Sequence, residues 1–481
     1  MITLKNYING TLCEPVSKKY FDDINPSTGK PYALIPDSET QDVEAAFEAA
    51  KNAFPQWSNT SKEDRYTVLN RIANLIDEQA DAFAKAESID NGKPFKLAKR
   101  VDISRASANM RFFATAILHY GSESHAMEDK GFNYTLRQPI GVVGCISPWN
   151  LPLYLFTWKI APALATGNCV VAKPSEITPM TAFLFSQLCI EAGLPAGVLN
   201  IVHGTGPKCG DAIVKHPKIK AISFTGGTAT GEYIARTAAP MFKKLSLELG
   251  GKNPNIIFND CDFEKMMSTT MHSSFANQGQ ICLCGSRIYV QKGIYEKFKT
   301  EFVARTKKLK VGNPFDDTVS LGAVVSEPHM KKILSYIELA KEEGGTILCG
   351  GKQFIPDETE LKGGYYIEPT IIEGLAYNCR TNLEEIFGPV VTIMPFETEE
   401  EVIGYANVTQ YGLAATIWTQ NIDVAHRVAS KIDSGIVWIN CWLVRDLRTP
   451  FGGMKNSGVG REGGFEALRF FTEPKNICVS L

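Results

Sequence analysis

The chain has no excess of either charge. Its 481 residues carry 50 lysines and arginines against 52 aspartates and glutamates, a net charge of -2, and neither sign is clustered. That removes the basic footprint of a nucleic-acid binder and the polybasic patch that draws a protein to an anionic membrane. Long apolar runs are also missing: the most apolar stretch, "YLFTWKIAPALATG", is broken by Lys159 and too short to span a bilayer. The opening "MITLKNYINGT" lacks the basic start and apolar core of a secretory signal. Twelve cysteines include no CxxC pair and no His/Cys cluster, which argues against a disulfide framework or a bound metal and for reduced thiols in the cytoplasm. No repeat, low-complexity tract or Pro/Gly/Ser linker occurs. What remains is globular, 44% hydrophobic and 21% charged, and too long for one ordinary core, so two or three domains are expected.

Helical signals come first. Ser38 with Gln41 reads as a capping box before "VEAAFEAAKNAF", and Thr60 with Glu63 as another. Val68, Leu69, Ile72, Leu75, Ile76 and Phe83 then recur at helical spacing. From about residue 140 short β-branched runs, "IGVVGCIS", "CVVAKP", "VLNIVHG", "AISFTG" and "NIIF", alternate with helical segments such as "MTAFLFSQLCIEAG", where Thr178 and Pro179 suit the N-cap and first turn. Such alternation predicts a parallel sheet covered by helices on both faces, with ligands bound beyond the C-terminal strand ends. A second α/β alternation runs from "RIYVQ" to "SGIVWIN" through "EPTII", "VTIMPF" and "AATIWT". The segments "GFNYTLRQPIG" and "KNICVSL" read as strands outside either sheet, of the kind that pair across a subunit interface.

Three stretches could grip a phosphate or ribose. "HGTGPKCG" offers Gly204, Gly206 and Gly210, one residue too long for the G-x-G-x-x-G fingerprint. "FTGGTATG" is a strand end, a glycine pair, two threonines and then a helix, whose first backbone amides can bind a pyrophosphate. "AKPSE" places Lys173 and Glu176 at another strand end, able to hydrogen-bond ribose hydroxyls or to form a plain solvated turn.

Acyl chemistry through a thioester needs a nucleophile, a base and an amide donor for an oxyanion. Cys282 in "SSFANQGQICLCG", Glu248 in "LELGGKN" and Asn150 in "SPWNLP" supply the three residue types. Taken in order, "ISPWNLP", "VAKPSE", "FTGGTATG", "LELGGKNP", "FANQGQIC", "EEIFGPV" and "PFGGMKNSGVGREGG" resemble the motifs of the aldehyde dehydrogenase superfamily, over essentially the whole chain.

The resemblance implies an α/β fold with a Rossmann-like NAD-binding domain (1–117 and 138–250), an α/β catalytic domain (251–455) and a small β oligomerisation arm (118–137 and 466–481). It implies NAD as cofactor and a homodimer or homotetramer. Cys282 would be the nucleophile, with Cys284 a neighbour. The Asn150 side-chain amide and the Cys282 N–H would stabilise the oxyanion, and Glu248 would activate the hydrolytic water. Lys173 and Glu176 fall at the adenosine ribose, and Gly227 at the pyrophosphate turn, where the family commonly has serine. Glu385 and Phe387 fall at the nicotinamide end. Ile146, Trp149, Ser175, Gly206, Gly210, Phe224, Thr225, Gly226 and Leu249 belong to the same cofactor set.

In this family the loop before "PFGG" lines the aldehyde entrance, and here it reads "NCWLVRDLRTPFG". Many members carry an aromatic residue at the position of Arg445. An arginine in an apolar tunnel needs an anion, since a buried unpaired charge is costly, and a carboxylate matches the planar guanidinium. The same loop together with "FTWKIAPA" and "DISRASANMRFFA" resembles the 2-hydroxymuconate and 2-aminomuconate semialdehyde dehydrogenases, in which an arginine at the position of Arg105 also faces the substrate. The expected partner is therefore a small acidic semialdehyde bound by Arg105, Arg445 and Asn150. Arg445 could instead pair with Asp446 at the surface, and Arg448, nearer the turn, reads as structural.

Overall fold

A computed structural model describes residues 1–480 of the chain. Its largest sheet has eight strands, five of them parallel: Val142–Ile146, Cys169–Lys173, Leu199–Ile201, Ala221–Thr225 and Lys244–Glu248. Val142–Ile146 and Cys169–Lys173 are buried at every position, as strands covered on both faces must be. The helix Pro152–Ala165 is buried all round, which its nearly continuous apolar run dictates. From Val142–Ile146 the chain builds outward through Cys169–Lys173 and Leu199–Ile201, then returns to add Ala221–Thr225 on the other side. This reversal opens a crevice at the ends of Val142–Ile146 and Ala221–Thr225, where open α/β sheets bind ligands.

The second sheet has seven strands in the order Thr346–Cys349, Thr370–Glu373, Val390–Phe396, Arg287–Gln291, Pro254–Ile257, Ala414–Trp418 and Ile436–Ile439, all parallel except the first. The expected "NIIF" strand lies here, not in the first sheet. Its place there is taken by Lys244–Glu248, whose alternation of Lys, Ser and Glu with leucine hid a strand in the sequence. The sheets are stitched at this point. Gly458–Val459 pairs antiparallel with Leu247 and Glu248, and Ser457 Oγ donates to the Gly250 carbonyl at 2.6 Å.

Gly131–Pro139 and Thr472–Ser480 form a nine-pair antiparallel ribbon, with Ser124–Ala126 on its other edge. Among the described residues no helix is long and apolar enough to cross a membrane, and no group of three or more His, Cys, Asp or Glu side chains could hold a metal.

The helix caps differ from the sequence reading by one residue or more. Thr40–Ser58 is capped at Glu39, whose N–H donates to Asp42 at 3.0 Å, while Ser38 is buried and accepts from Asn6 at 2.8 Å. Lys62–Glu78 is capped by Ser61 with Asp64, because the Thr60 hydroxyl is spent on the Trp57 carbonyl at 2.7 Å. Met180–Glu191 begins past Pro179, with the Met180 N–H on Asp90 at 2.8 Å, and Thr178 turns its hydroxyl to the Trp149 carbonyl.

Candidate active site

A groove of about 740 Å³ occupies the crevice at the strand ends. Eleven of the predicted cofactor residues line it: Ile146, Trp149, Lys173, Ser175, Glu176, Gly206, Gly210, Phe224, Thr225, Gly226 and Gly227. Lys173 Nζ lies 2.9 Å from one Glu176 oxygen, and the Gly206 N–H donates to the other at 3.0 Å. Burial raises the Glu176 carboxyl, but Lys173 and the Gly206 amide outweigh it and hold the group below its ordinary range. Gly227 caps the helix Thr228–Ala238, and a side-chain carbon there would meet nothing within 4 Å. The helix N-terminus therefore stands open to the groove, as an anion requires. The Thr225 hydroxyl is buried without a partner, and Thr225 lines both this groove and the cavity beyond it. A sheet switch point, an open helix N-terminus, an orphaned hydroxyl and an ionised carboxylate fit a dinucleotide with free ribose hydroxyls.

The cavity beyond has a volume of about 820 Å³ and holds Cys282, Glu248, Leu249, Arg105 and Arg445 in its walls. Leu249 thus belongs to this cavity and not to the nucleotide groove, because it follows the last strand as the chain crosses to the second sheet. Cys282 also lines a small recess with Glu385 and Phe387, the other two predicted cofactor residues. Gly251 N–H donates to Glu385 at 2.8 Å, and a side-chain carbon at Gly250 would lie 2.6 Å from the same carboxylate, which would have to shift to admit it. Phe387 adopts φ +63°, held by a 2.7 Å bond from the His329 ring to its carbonyl. Burial pushes His329 down to about 4, so the ring is neutral and donates from Nε2. Trp149 packs edge-on against Phe387 at 5.3 Å.

The loop carrying Cys282 is fixed from several sides. Asn253 donates to the Cys282 carbonyl at 2.7 Å and to the Cys284 carbonyl at 2.9 Å. Asn277 and Gln278 both sit in the left-handed region, a strained pair of the kind found at functional turns. Asn277 donates to the Asn150 backbone carbonyl at 2.9 Å, and so does Lys93. The Asn150 side chain gives one amide hydrogen to the Gln280 carbonyl at 3.0 Å, and its second meets no acceptor among the described residues. Burial raises the Cys282 thiol far above the ordinary range, and Glu248 and Glu385 add to the rise; Arg445 opposes it. Burial also pushes Cys284 up to about 12.

Glu248 is 4% exposed, and one of its oxygens has no hydrogen-bond partner among the described residues. Burial raises its carboxyl well above the usual range, and the nearby Glu462 adds to this; Lys159 and Arg445 pull the other way. Glu462 is itself held by Lys159 at 2.8 Å and by the Ser223 hydroxyl at 3.1 Å.

Arg445 does not pair with Asp446. Asp446 binds Arg448 at 2.6 Å on the exposed surface, so Arg448 is a solvated ion pair and not a scaffold element. The Arg445 guanidinium lies 4.4 Å from the Trp158 ring centre and 3.8 Å from that of Phe451, and Nη1 donates to the Tyr154 hydroxyl at 2.9 Å. Nε and Nη2 are withdrawn from solvent and meet no acceptor among the described residues. Arg105 lies over the Tyr154 ring at 5.7 Å. Sequence reasoning missed Tyr154, Trp158, Phe451, Lys93 and Glu462. The one available signal was a lone lysine, Lys159, in an otherwise apolar run, which demanded a buried acid.

The "Aldehyde dehydrogenase family" profile matches residues 13–477. The chain is 53% identical over 482 residues to the 2-aminomuconic semialdehyde dehydrogenase of Danio rerio, covering 99% of this chain and 98% of that protein. It is 46% identical to the 2-hydroxymuconic semialdehyde dehydrogenase of Pseudomonas sp. (strain CF600), with all of both chains covered. Among solved structures, the NAD+ complex of an aldehyde dehydrogenase from Bacillus cereus superposes with a TM-score of 0.96 at 39% identity, covering 100% of this chain and 97% of that one. A profile match over nearly the full length, together with identities near one half, makes the assignment plain: the chain belongs to the aldehyde dehydrogenase family.

Proposed function

We propose that the chain oxidises a carboxylate-bearing semialdehyde, 2-aminomuconate or 2-hydroxymuconate 6-semialdehyde, to the dicarboxylate with NAD. The observation that carries the substrate class is Arg445. Its cation stands in the wall of the Cys282 cavity with two dry donors, Nε and Nη2, that meet no acceptor among the described residues, a costly arrangement that a substrate carboxylate relieves. The full-length similarity to relatives named for these two semialdehydes supports the same reading.

In this mechanism the Cys282 thiol gives its proton to solvent water and the sulfur attacks the aldehyde carbon. The free Asn150 amide hydrogen and the Cys282 N–H hold the thiohemiacetal oxyanion; one such donor is typically worth about 3–4 kcal/mol. NAD, when bound, would supply the hydride acceptor for this carbon. Lys173, Glu176 and the helix start at Gly227 would hold its adenosine half, and Glu385 and Phe387 its nicotinamide end. The resulting thioester is hydrolysed by water that Glu248 deprotonates. With Glu176 ionised and at the ribose, a 2′-phosphate would be repelled, so NADP is disfavoured.

The working form is a cytoplasmic homodimer or homotetramer joined through the arm. Phe132, Tyr134 and Leu136 alternate onto one face of Gly131–Pro139, directly opposite Val479, Ile477 and Lys475, and Phe132, Leu136 and Val479 are exposed. An uncovered apolar face of that kind fits a second copy. The twelve cysteines are all free.

The test is NADH production from an acidic semialdehyde and a neutral aldehyde of equal length, with NAD and NADP in parallel. The expected result is a kcat/KM at least about 30-fold higher for the acid, with NAD preferred. Equal values for the two aldehydes would overturn the substrate assignment.

A further inference from the structure

Two cations reach one cavity from different elements, and a single side chain touches both. Arg105 lies in the first turn of the helix Ser104–Ala116, and Asn109, four residues on, shares its face. Tyr154 and Trp158 stand in the same i,i+4 relation on the helix Pro152–Ala165. Asn109 donates its amide to the Tyr154 backbone carbonyl at 3.0 Å, which locks the two faces together. The third element is the loop carrying Arg445 and Phe451. Its guanidinium slots between Trp158 and Phe451 and donates Nη1 to the Tyr154 hydroxyl. Arg105 meets the other part of the same residue, the ring face.

We infer that Tyr154 is a specificity-determining residue: its hydroxyl fixes where the substrate carboxylate sits between Arg105 and Arg445, and donates a third hydrogen bond to it. The inference rests on the acidic-semialdehyde reading above. Tyr154 is 8% exposed, and a buried phenol needs partners for one donor and two lone pairs. Arg445 uses one lone pair. The O–H itself has no acceptor among the described residues, although Tyr154 lines the cavity. Arg105 makes no hydrogen bond or ion pair among the described residues and keeps only its ring contact. A phenol bonded to one cation and lying beneath another acts as a donor, since its oxygen is already polarised by the guanidinium. An anion satisfies all three groups together, whereas a neutral aldehyde satisfies none.

The Asn109 contact also gives the arrangement rigidity. The Tyr154 backbone is tied to the helix that carries Arg105, so the phenol and that arginine keep a fixed relation, while Arg445 arrives on a loop. Tyr154 thus supplies the loop arginine with a reference point on the helical scaffold. Functional groups on regular elements are held more precisely than those on loops.

The test is Tyr154→Phe, which keeps the ring under Arg105 and removes only the hydroxyl. KM for the acidic semialdehyde should rise about 10-fold or more, the usual effect of losing a hydrogen bond to a charged group, while its kcat stays within about twofold. Kinetics on a neutral aldehyde and cofactor affinity should be unchanged, while Tm falls modestly, since Arg445 Nη1 loses its acceptor. Arg445→Ala is measured beside it. If Arg445→Ala loses the acidic substrate selectively and Tyr154→Phe does not, Tyr154 is only part of the wall and the inference fails while the substrate reading stands. If Arg445→Ala also keeps its selectivity, the substrate reading itself fails. A Tyr154→Phe enzyme that loses both aldehydes equally also overturns the inference, because the hydroxyl would then support the fold and not the anion.

Discussion

The carboxylate next to Arg445 in sequence, Asp446, spends both oxygens on Arg448, and hydrogen bonds from Arg448 hold it down at about 2. Exposed pairs of this kind contribute little, so Arg448→Ala should leave Tm and substrate preference unchanged. Arg445→Ala should behave differently. Losing a desolvated contact to an anion costs about 2–5 kcal/mol, or about 30- to 4000-fold in kcat/KM for the acidic semialdehyde. Neutral aldehydes should keep most of their rate, but with a shifted pH profile. Arg445 is among the few charges that favour the Cys282 thiolate and the Glu248 carboxylate, so the acid limb should move to higher pH. Equal losses on both substrates across the pH range would remove Arg445 from the anion site. Glu248 gives a second residue-scale expectation. Its folded-state pKa is raised above the unfolded value, so the native state holds the proton more tightly, and stability falls as pH climbs from the unfolded value toward the folded one. The base is needed ionised, so thioester hydrolysis rises over the same climb. Glu248→Gln should therefore lose turnover yet gain Tm over the parent, by a margin that widens with pH. Melting curves at several pH values check this, and a margin independent of pH would contradict it.

At the scale of elements, a π-helical turn, Ala98–Ile103, interrupts the run into the helix Ser104–Ala116. The turn aims Asp102 inward, where it binds Lys93 at 2.8 Å, both side chains fully buried, and Lys93 in turn holds the Asn150 carbonyl. Just outward of it, Arg100 and Arg105 line the substrate cavity. Such turns occur disproportionately at functional sites. Lys93→Met strands Asp102 as a buried charge and should cost about 3–5 kcal/mol, visible in urea titration. In the folded fraction kcat should fall with KM little changed, because the oxyanion donor loses its backbone anchor; an unchanged kcat would leave Lys93 a purely structural residue. None of this was legible in sequence, since a Lys and an Asp nine residues apart read as solvated. Elements buried on both faces were legible: "RIYVQ" is a strand to the residue, because an apolar β-branched run has one stable use in an α/β protein. The caps were misplaced where neighbouring candidates competed, as at Thr60 and Ser61. The proposed trio of Cys282, Glu248 and Asn150 and most of the proposed cofactor set could be named because each sits in a motif. Tyr154, Trp158 and Phe451 were not, because an aromatic cage looks like core until the guanidinium is placed inside it.

Across the whole molecule, one point joins the two sheets. Glu248 ends a strand of the first, Gly458 pairs with it, and the next strand, Pro254–Ile257, is already the middle of the second. The base thus stands at the seam between the nucleotide groove and the nucleophile loop, so movement of one sheet against the other changes its position directly. The arm lies apart from that seam: its ribbon is built from Gly131–Pro139 and Thr472–Ser480. Disrupting its apolar face should therefore change assembly without touching chemistry. Phe132→Glu with Leu136→Glu places two like charges on the exposed face of Gly131–Pro139 while leaving its backbone ladder intact. Facing a second copy, those carboxylates would be desolvated without partners, a cost a modest interface cannot carry. Sedimentation velocity should show the parent as a dimer or tetramer and the double variant as a monomer. Single-turnover thioester formation should remain within about twofold of the parent, since no residue of the arm lines either cavity. A double variant that still assembles would place the interface elsewhere. One that falls apart and also loses single-turnover chemistry would show that the second copy holds the active site in shape.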